Sequence, residues 1–168
     1  MRDIVFLMEE NIAENTETIE ETILYEKYII FTIREKRYAL PSKIISEVAA
    51  LEKVFPLPLV PDYVRGIINR YSVPYALIDV NFFLFKDASD AQKVIVLKEE
   101  VDKLALLIDD VTDIVDIPSG NLLKIEAKET ASEDPVSAFF EWKGNHIFCF
   151  ETGEFISRIK QDFEQRNT

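Results

Sequence analysis

Short runs of apolar, β-branched and aromatic residues recur along the chain, each bounded by polar or turn-forming residues, which is the pattern of β-strands. The first two runs flank a polar turn at Glu35-Lys36, as in a β-hairpin. The last two flank Gly144-Asn145, a two-residue turn signal. Strands are predicted over residues 28–33, 37–41, 44–48, 64–68, 76–80, 93–98, 104–108, 111–117, 139–143 and 146–150.

Helical signals are few and short. One helical turn is expected at Ser42 and another over residues 81–85. Near the end of the chain Phe155, Ile159 and Phe163 lie four residues apart, which predicts an amphipathic helix over residues 154–164. Because the strands follow one another without alternating helices, the pattern favours all-β barrels over a βαβ sheet. Two groups of about five strands, divided near residues 86–92, predict two small barrels.

Length and charge narrow the class of protein. A chain of 168 residues suits one domain, or two small subdomains that share a core. A net charge of -12 disfavours nucleic acid and a bare anionic membrane surface as partners. No apolar run approaches the roughly 20 residues of a membrane span, so we expect no direct membrane insertion. Residues 4–8 are too short, and too acidic in context, for an export signal. The single Cys149 cannot form an internal disulfide, and a cytoplasmic location is expected.

Residues 1–24 differ from the rest of the chain. They carry seven acidic residues against Arg2 alone, and so hold -6 of the net charge of -12. We interpret them as an acidic N-terminal arm, disordered or loosely helical, that precedes a domain of residues 25–168. The alternative is a docking peptide, in which the apolar residues 4–8 bind to a sheet edge or a groove.

Candidate catalytic chemistry is sparse. His146 and Cys149 are three residues apart, so their side chains face opposite sides of one strand, which argues against a catalytic Cys–His pair. Four aspartates between residues 109 and 116 alternate between strand faces and lack the loop spacing of a calcium site. The sequence contains no glycine-rich phosphate-binding motif. We therefore predict a protein that is not an enzyme, with no catalytic residue, no metal site and no cofactor.

An apolar segment among prolines is the most informative surface candidate. Val54, Phe55, Leu57, Leu59 and Val60 alternate with prolines that exclude a regular helix or a central strand. The segment either packs as a plain loop between the barrels or forms a preformed apolar groove for a partner helix.

Several segments, in order and at characteristic spacing over residues 25–159, resemble the CheW-like domain family. Each segment alone is an apolar strand of low specificity, but their order and spacing together are specific. The matching segments are Tyr-Ile-Ile-Phe-Thr-Ile at 28–33, Arg-Tyr-Ala-Leu at 37–40, Ile-Ser-Glu-Val at 45–48, Pro-Asp-Tyr-Val-Arg-Gly-Ile-Ile-Asn at 61–69, Asp79, Val-Ile-Val-Leu at 94–97, and residues 104–118.

One corner departs from the family pattern. Family members usually follow the Asn with Leu-Arg-Gly, whereas Asn69 is followed by Arg70, Tyr71 and Ser72. Tyr71 replaces a fixed charge with a ring and one hydroxyl. Ser72 removes the glycine that reaches positive φ most readily. We expect this corner to be shaped differently from that of other members.

The resemblance implies two SH3-like five-stranded β-barrel subdomains with a C-terminal helix. It also implies a non-enzymatic adaptor in bacterial chemotaxis, which couples the cytoplasmic tip of chemoreceptors to the regulatory domain of the histidine kinase CheA. The alternative is a CheW-like binding module, or a competitor in receptor arrays, with a different signalling partner. The positions that match the family's receptor contact are Ile45, Glu47 and Val48, with Val64, Ile68 and Asn69 nearby, and Tyr71 marks the altered corner. For the kinase contact we expect apolar loop ends in the second half of the chain, such as Val101 and Leu104.

For two of the receptor-binding positions, the spacing predicts where the side chains point. Ile45 and Glu47 are two apart, so they would share a strand face and meet one partner helix together. The alternative is that Ile45 belongs to the core and Glu47 to a solvated edge.

Overall fold

The computed structural model describes residues 22–126 and 134–166. The predicted acidic arm lies almost entirely outside these residues. The fold is mainly β, with single 3-10 turns at Ser42–Ile44 and Ser119–Asn121. Its elements are β1 (Tyr25–Ile33), β2 (Lys36–Pro41), β3 (Ile45–Ala50), β4 (Val64–Arg70), β5 (Val73–Asp79), α1 (Val80–Phe85), β6 (Lys93–Leu97), β7 (Leu104–Ile108), β8 (Asp110–Pro118), β9 (Leu123–Lys124), β10 (Val136–Trp142), β11 (Asn145–Phe150) and α2 (Thr152–Arg166).

The strands form two sheets that correspond to the two predicted SH3-like subdomains. The larger sheet has six strands in the order β8-β1-β2-β11-β10-β9, and the smaller has five in the order β3-β6-β7-β5-β4. The sheets do not divide the chain at residues 86–92, as the sequence suggested. That segment joins α1 to β6 inside the smaller sheet, and the larger sheet combines the first two strands with the last four. Long-range pairing of β1 with β8 decides this arrangement, and no local signal reports it.

Three apolar clusters explain why several strands are buried on both faces. One cluster lies within each sheet's own subdomain, and the third lies between the subdomains. In β1, Ile30 faces the interior of the larger subdomain, whereas Phe31 faces the shared cluster. In β7 the same alternation places Leu106 in the shared cluster and Leu107 in the interior of the smaller subdomain. A strand between two apolar layers therefore loses the alternation of apolar and polar residues that a half-exposed strand shows.

The hairpin turns fall one residue earlier than the sequence suggested. The last hairpin turns at residues 143–144, because Trp142 pairs with Asn145, and the first turns at residues 34–35. Both residues of the last turn have positive φ, 49° and 75°, which is the conformation of a two-residue turn that matches the twist of the flanking strands.

The predicted C-terminal helix is confirmed and packs on the shared cluster. Phe155 and Ile159 of α2 are buried, and Phe163 packs against them at the next turn. The Phe155 ring lies 4.8 Å from that of Phe83 in α1 and 5.5 Å from that of Phe150 in β11, both edge to face. The helix therefore ties elements of both sheets together. Among the described residues, no helix is long and apolar enough to cross a membrane.

Candidate partner-binding surface

The two outer strands of the smaller sheet are joined by an ion pair. Glu47 lies on β3 and Arg70 on β4, at opposite ends of the strand order. The Arg70 Nε and Nη2 atoms donate to the two Glu47 carboxylate oxygens at 2.7 and 2.9 Å. Arg70 Nη1 also lies 3.3 Å from the Glu52 carboxylate. The sheet therefore curls until its edges meet, and a bidentate pair links them.

This pair is largely shielded from water. The exposed fractions of the Arg70 and Glu47 side chains are 17% and 24%. The hydrogen bonds from Arg70 lower the pKa of Glu47, although partial burial opposes the shift. The same bonds raise the pKa of Arg70. The Arg70 guanidinium thus pairs with two carboxylates of its own chain. The sequence alone does not indicate these pairs, because the partners are far apart along the chain.

The altered corner Tyr71-Ser72 forms the tight turn between β4 and β5. Arg70 pairs with Val73, so these two residues alone make the turn, and both have positive φ, 51° and 67°. Ser72 thus adopts positive φ although it lacks the ease with which glycine reaches it, because the hairpin register imposes that conformation. The Tyr71 side chain is 86% exposed, and the Arg70 guanidinium carbon lies 5.5 Å from its ring centroid.

A bulge in β3 separates Ile45 from Glu47. Ile45 pairs with Leu97 and Glu47 with Val96, so the register shifts between them. Ile45 is buried in the shared cluster. The expectation that the two side chains share a face is therefore wrong, because the extra residue at the bulge rotates the strand. Beyond the bulge, the Val48 side chain is 41% exposed.

A shallow apolar groove lies beside Val48, between the two sheets. Its volume is about 460 Å³ and its floor combines β3 with Val111 of the larger sheet. An ion pair between Lys93 of β6 and Asp110 of β8 crosses from one sheet to the other at this groove. The groove is lined by Val48, Ala49, Ala50, Gln92, Lys93 and Val111.

The other predicted partner-binding residues are divided between core and surface. Val64 and Leu104 are buried in the shared cluster, and Ile68 is buried inside the smaller subdomain. Val101 is partly buried against the shared cluster, and Asn69 is exposed. Val48, Asn69 and Tyr71 are thus exposed, whereas Glu47 is half-buried in its pair with Arg70. Prediction from the sequence missed Arg70, Glu52 and Val111, which reach this surface only through tertiary contacts.

A second accessible feature is the apolar segment among prolines, residues 53–61, which we call the proline strap. Phe55 forms an isolated bridge with Ile67 of β4, in which each backbone N–H donates to the other's carbonyl at 2.8 Å. The approach is so close that a Cβ atom on Gly66 would lie 2.2 Å from the Phe55 carbonyl oxygen. The strap is therefore fixed to the β4 edge, and Phe55 and Leu59 remain exposed on it.

Asp79, singled out by its spacing in the sequence, organises the segment after α1. Its side chain is fully buried and accepts from the backbone N–H of Phe82 at 3.0 Å, which caps α1. It also accepts from Arg65 Nε and from the backbone N–H of Ser89, both at 3.0 Å. This carboxylate has a structural role, since all of these contacts hold backbone and side chains in place.

The residues considered for catalysis stay apart. Cys149 is buried, whereas His146 is exposed and its Nε2 atom lies 3.1 Å from a Glu141 oxygen. Three of the aspartates between residues 109 and 116 each pair with a different lysine. In the described part of the chain, no group of three or more His, Cys, Asp or Glu side chains could hold a metal ion.

These features define a class of protein: two small β-subdomains on a shared core, with an apolar groove and a charged corner at their surface. A family model described as CheW-like domain matches residues 27–160. The chain therefore belongs to the CheW-like domain family, which makes it a chemotaxis adaptor or scaffold protein and not a member of a family of enzymes.

Comparison with solved structures agrees with this fold. The chain is similar to the scaffolding protein TtCheW from Thermoanaerobacter tengcongensis, with a TM-score of 0.69 and 18% sequence identity, over 76% of this chain and 90% of that one. At this identity the similarity shows the fold alone. A comparison with curated proteins finds no match.

Proposed function

We propose that this protein is a cytoplasmic adaptor that couples chemoreceptors to the histidine kinase CheA by protein–protein contact. Residues 25–168 form the adaptor domain in this proposal. The observation that carries it is the apolar groove at Val48, which opens between the two sheets and has the Lys93–Asp110 ion pair beside it. Such a combination suits a helical partner, because apolar anchors supply binding energy and charges at the rim set the register.

In this proposal the receptor tip binds along β3 and across the groove. Val48 and Val111 supply the apolar contact from the two sheets. Tyr71 in the β4–β5 turn and the neighbouring Asn69 are exposed and available for further polar contact. Ile45, Val64 and Ile68 support this surface from within, since all three are buried. Substitution of these buried residues would lower the stability of the domain, and any loss of receptor binding would follow from that.

The kinase contact is proposed at the turn between β6 and β7. Val101 is partly buried there, and its backbone N–H donates to Lys98 O at 2.9 Å. Leu104 is buried beneath the turn. Val101 would therefore touch the CheA regulatory domain, and Leu104 would hold the turn in place.

Co-sedimentation with a receptor signalling fragment and with the CheA regulatory domain tests the proposal. We expect both to bind the wild-type protein, and Val48→Glu to weaken receptor binding about tenfold or more, since a charge in an apolar contact is poorly solvated. The matched control is Ile114→Glu, an exposed isoleucine on β8, which should bind like the wild type. If the wild-type protein binds neither partner, the proposal is wrong.

The altered corner favours a second candidate function, a CheW-like module with a different signalling partner. Arg70 is held by Glu47 and Glu52, so the corner presents the Tyr71 ring where family members present a cation. Under this alternative, Tyr71→Arg leaves binding to the natural partner unchanged or weaker. A large gain in receptor binding by Tyr71→Arg would argue against the alternative.

A further inference from the structure

Three large apolar side chains project from the proline strap. The exposed fractions are 44% for Phe55, 38% for Leu57 and 89% for Leu59. Among the described residues, large exposed apolar side chains cluster this closely in sequence at one other place, residues 23–25, where the arm joins the domain. The other exposed large apolar residues are scattered singly, which is normal for a protein surface.

Hydrogen bonds hold the backbone of the strap at two points. Phe55 is bonded to Ile67 through both backbone groups, and the Val60 carbonyl accepts from Arg166 Nη1 at 2.9 Å. Leu59 has a φ of 57°, a conformation that is strained for a branched side chain and persists only where its surroundings impose it. The apolar side chains are therefore presented by a restrained backbone, which reduces the entropy lost on binding.

The chemistry of the strap limits what can cover it. Prolines at positions 56, 58 and 61 have no N–H, so a partner cannot add to the strap as a paired strand and must recognise its side chains. The Lys53 ammonium lies 4.9 Å from the centroid of the Phe55 ring, and Arg166 lies at the Val60 end. The neighbouring Glu52 carboxylate faces Arg70. The surface is thus apolar with cations at both ends, which suits an apolar segment flanked by acidic residues.

We propose that the strap is covered by residues 4–8 of the same chain, Ile-Val-Phe-Leu-Met, with the following Glu9 and Glu10 directed at Lys53. This segment has the required chemistry, because it is apolar and belongs to residues 1–24, which carry half of the net negative charge. Residues 9–21 span about 45 Å when extended, a length comparable with the diameter of about 40 Å of a domain of this size. Attachment through such a linker gives an effective concentration on the order of millimolar, which supports docking through a small contact.

Paramagnetic relaxation in the full 168-residue protein tests this inference. A nitroxide is attached to Asn11→Cys. The native Cys149 does not compete, since it is buried and burial raises the pKa of its thiol to about 12. We expect loss of most amide signal at the non-proline residues between 53 and 60, and recovery of that signal in Leu59→Asp. The control Ile114→Asp alters another exposed apolar residue, which lies on the other sheet, and should leave the signal loss unchanged.

Each outcome decides the matter independently of receptor or kinase binding. Signal loss at the strap that disappears in Leu59→Asp supports the proposal. Signal loss elsewhere, or none, overturns it. Signal loss that appears only when spin-labelled protein is mixed with isotope-labelled, unmodified protein shows that a second copy is the occupant, and this also overturns the proposed intramolecular contact.

Discussion

The turn between β4 and β5 offers a sharp test of the backbone argument, through the substitution Ser72→Gly. Ser72 has a φ of 67° and is exposed. A left-handed conformation costs a residue with a Cβ atom roughly 1–2 kcal/mol. Glycine avoids that penalty but loses roughly 0.5–1 kcal/mol through the greater freedom of its unfolded chain. The balance predicts that Ser72→Gly raises the free energy of unfolding by about 1 kcal/mol.

The chain contains its own matched control in the turn between β10 and β11. Gly144 occupies the equivalent position with a φ of 75°, and a Cβ atom added there meets no atom within 4 Å. Gly144→Ser therefore tests the backbone conformation alone, and should lower stability by about 1 kcal/mol. Asparagine tolerates positive φ better than serine does, so Ser72→Asn should fall between the wild type and Ser72→Gly.

Thermal and urea unfolding followed by circular dichroism provide the measurement. For a domain of this size, a change of 1 kcal/mol shifts the melting temperature by about 3 °C. We expect an upward shift for Ser72→Gly and a downward shift for Gly144→Ser. A downward shift for Ser72→Gly, or no loss in Gly144→Ser, would refute the argument that positive φ controls stability at these turns.

Three further predictions concern the fixed points of the fold. Gly66→Ala should lower stability by about 2 kcal/mol or more, since the added Cβ meets the Phe55 carbonyl and φ is 138°. The control Gly120→Ala should change stability little, because a Cβ atom there meets no atom within 4 Å. Thermal unfolding compares the two variants. Phe155→Ala should lower the free energy of unfolding by about 3–5 kcal/mol, measured in urea, because a ring in the shared cluster is removed. Because Arg70 lowers the pKa of Glu47 below its ordinary value of 4.5, the pair stabilises the fold fully above pH 4.5 and loses this contribution as the pH falls through the lowered pKa. An acid titration of Glu47→Gln should show a weaker loss of stability over that range than the wild type, and equal losses would contradict the assignment.

Local signals account for the elements that the sequence predicted correctly. The β1–β2 and β10–β11 hairpins are separated by short polar or glycine-containing turns, and α2 shows a four-residue apolar repeat. The helical turns at residues 42–44 and 80–85 also follow from nearby residues, since Asp79 caps the second of them through its own side chain. Such features depend on neighbours a few positions apart, so a single sequence reports them.

The candidate surface could be predicted only in part. The sequence pointed to Glu47, Val48 and Tyr71. In the structure Val48 and Tyr71 are exposed, whereas Glu47 is half-buried against Arg70. The sequence offered a core position for Ile45 only as one of two alternatives, because a bulge leaves no clear mark in a strand of mixed polarity. For the proline strap the sequence left plain loop packing and an apolar groove as alternatives, and its attachment to β4 depends on the backbone bridge between Phe55 and Ile67.

By itself the sequence determined the number and nature of most strands, the closing helix and the family to which the chain belongs. Tertiary structure alone decided which strands share a sheet, since β1 pairs with β8 across most of the chain. It also decided that Arg70 closes the smaller sheet by pairing with Glu47, 23 residues away. The physical reason is the same in both cases. Strand pairing and ion pairing join groups by proximity in space, and an amphipathic pattern specifies which face of a strand is buried but not which strand lies against it.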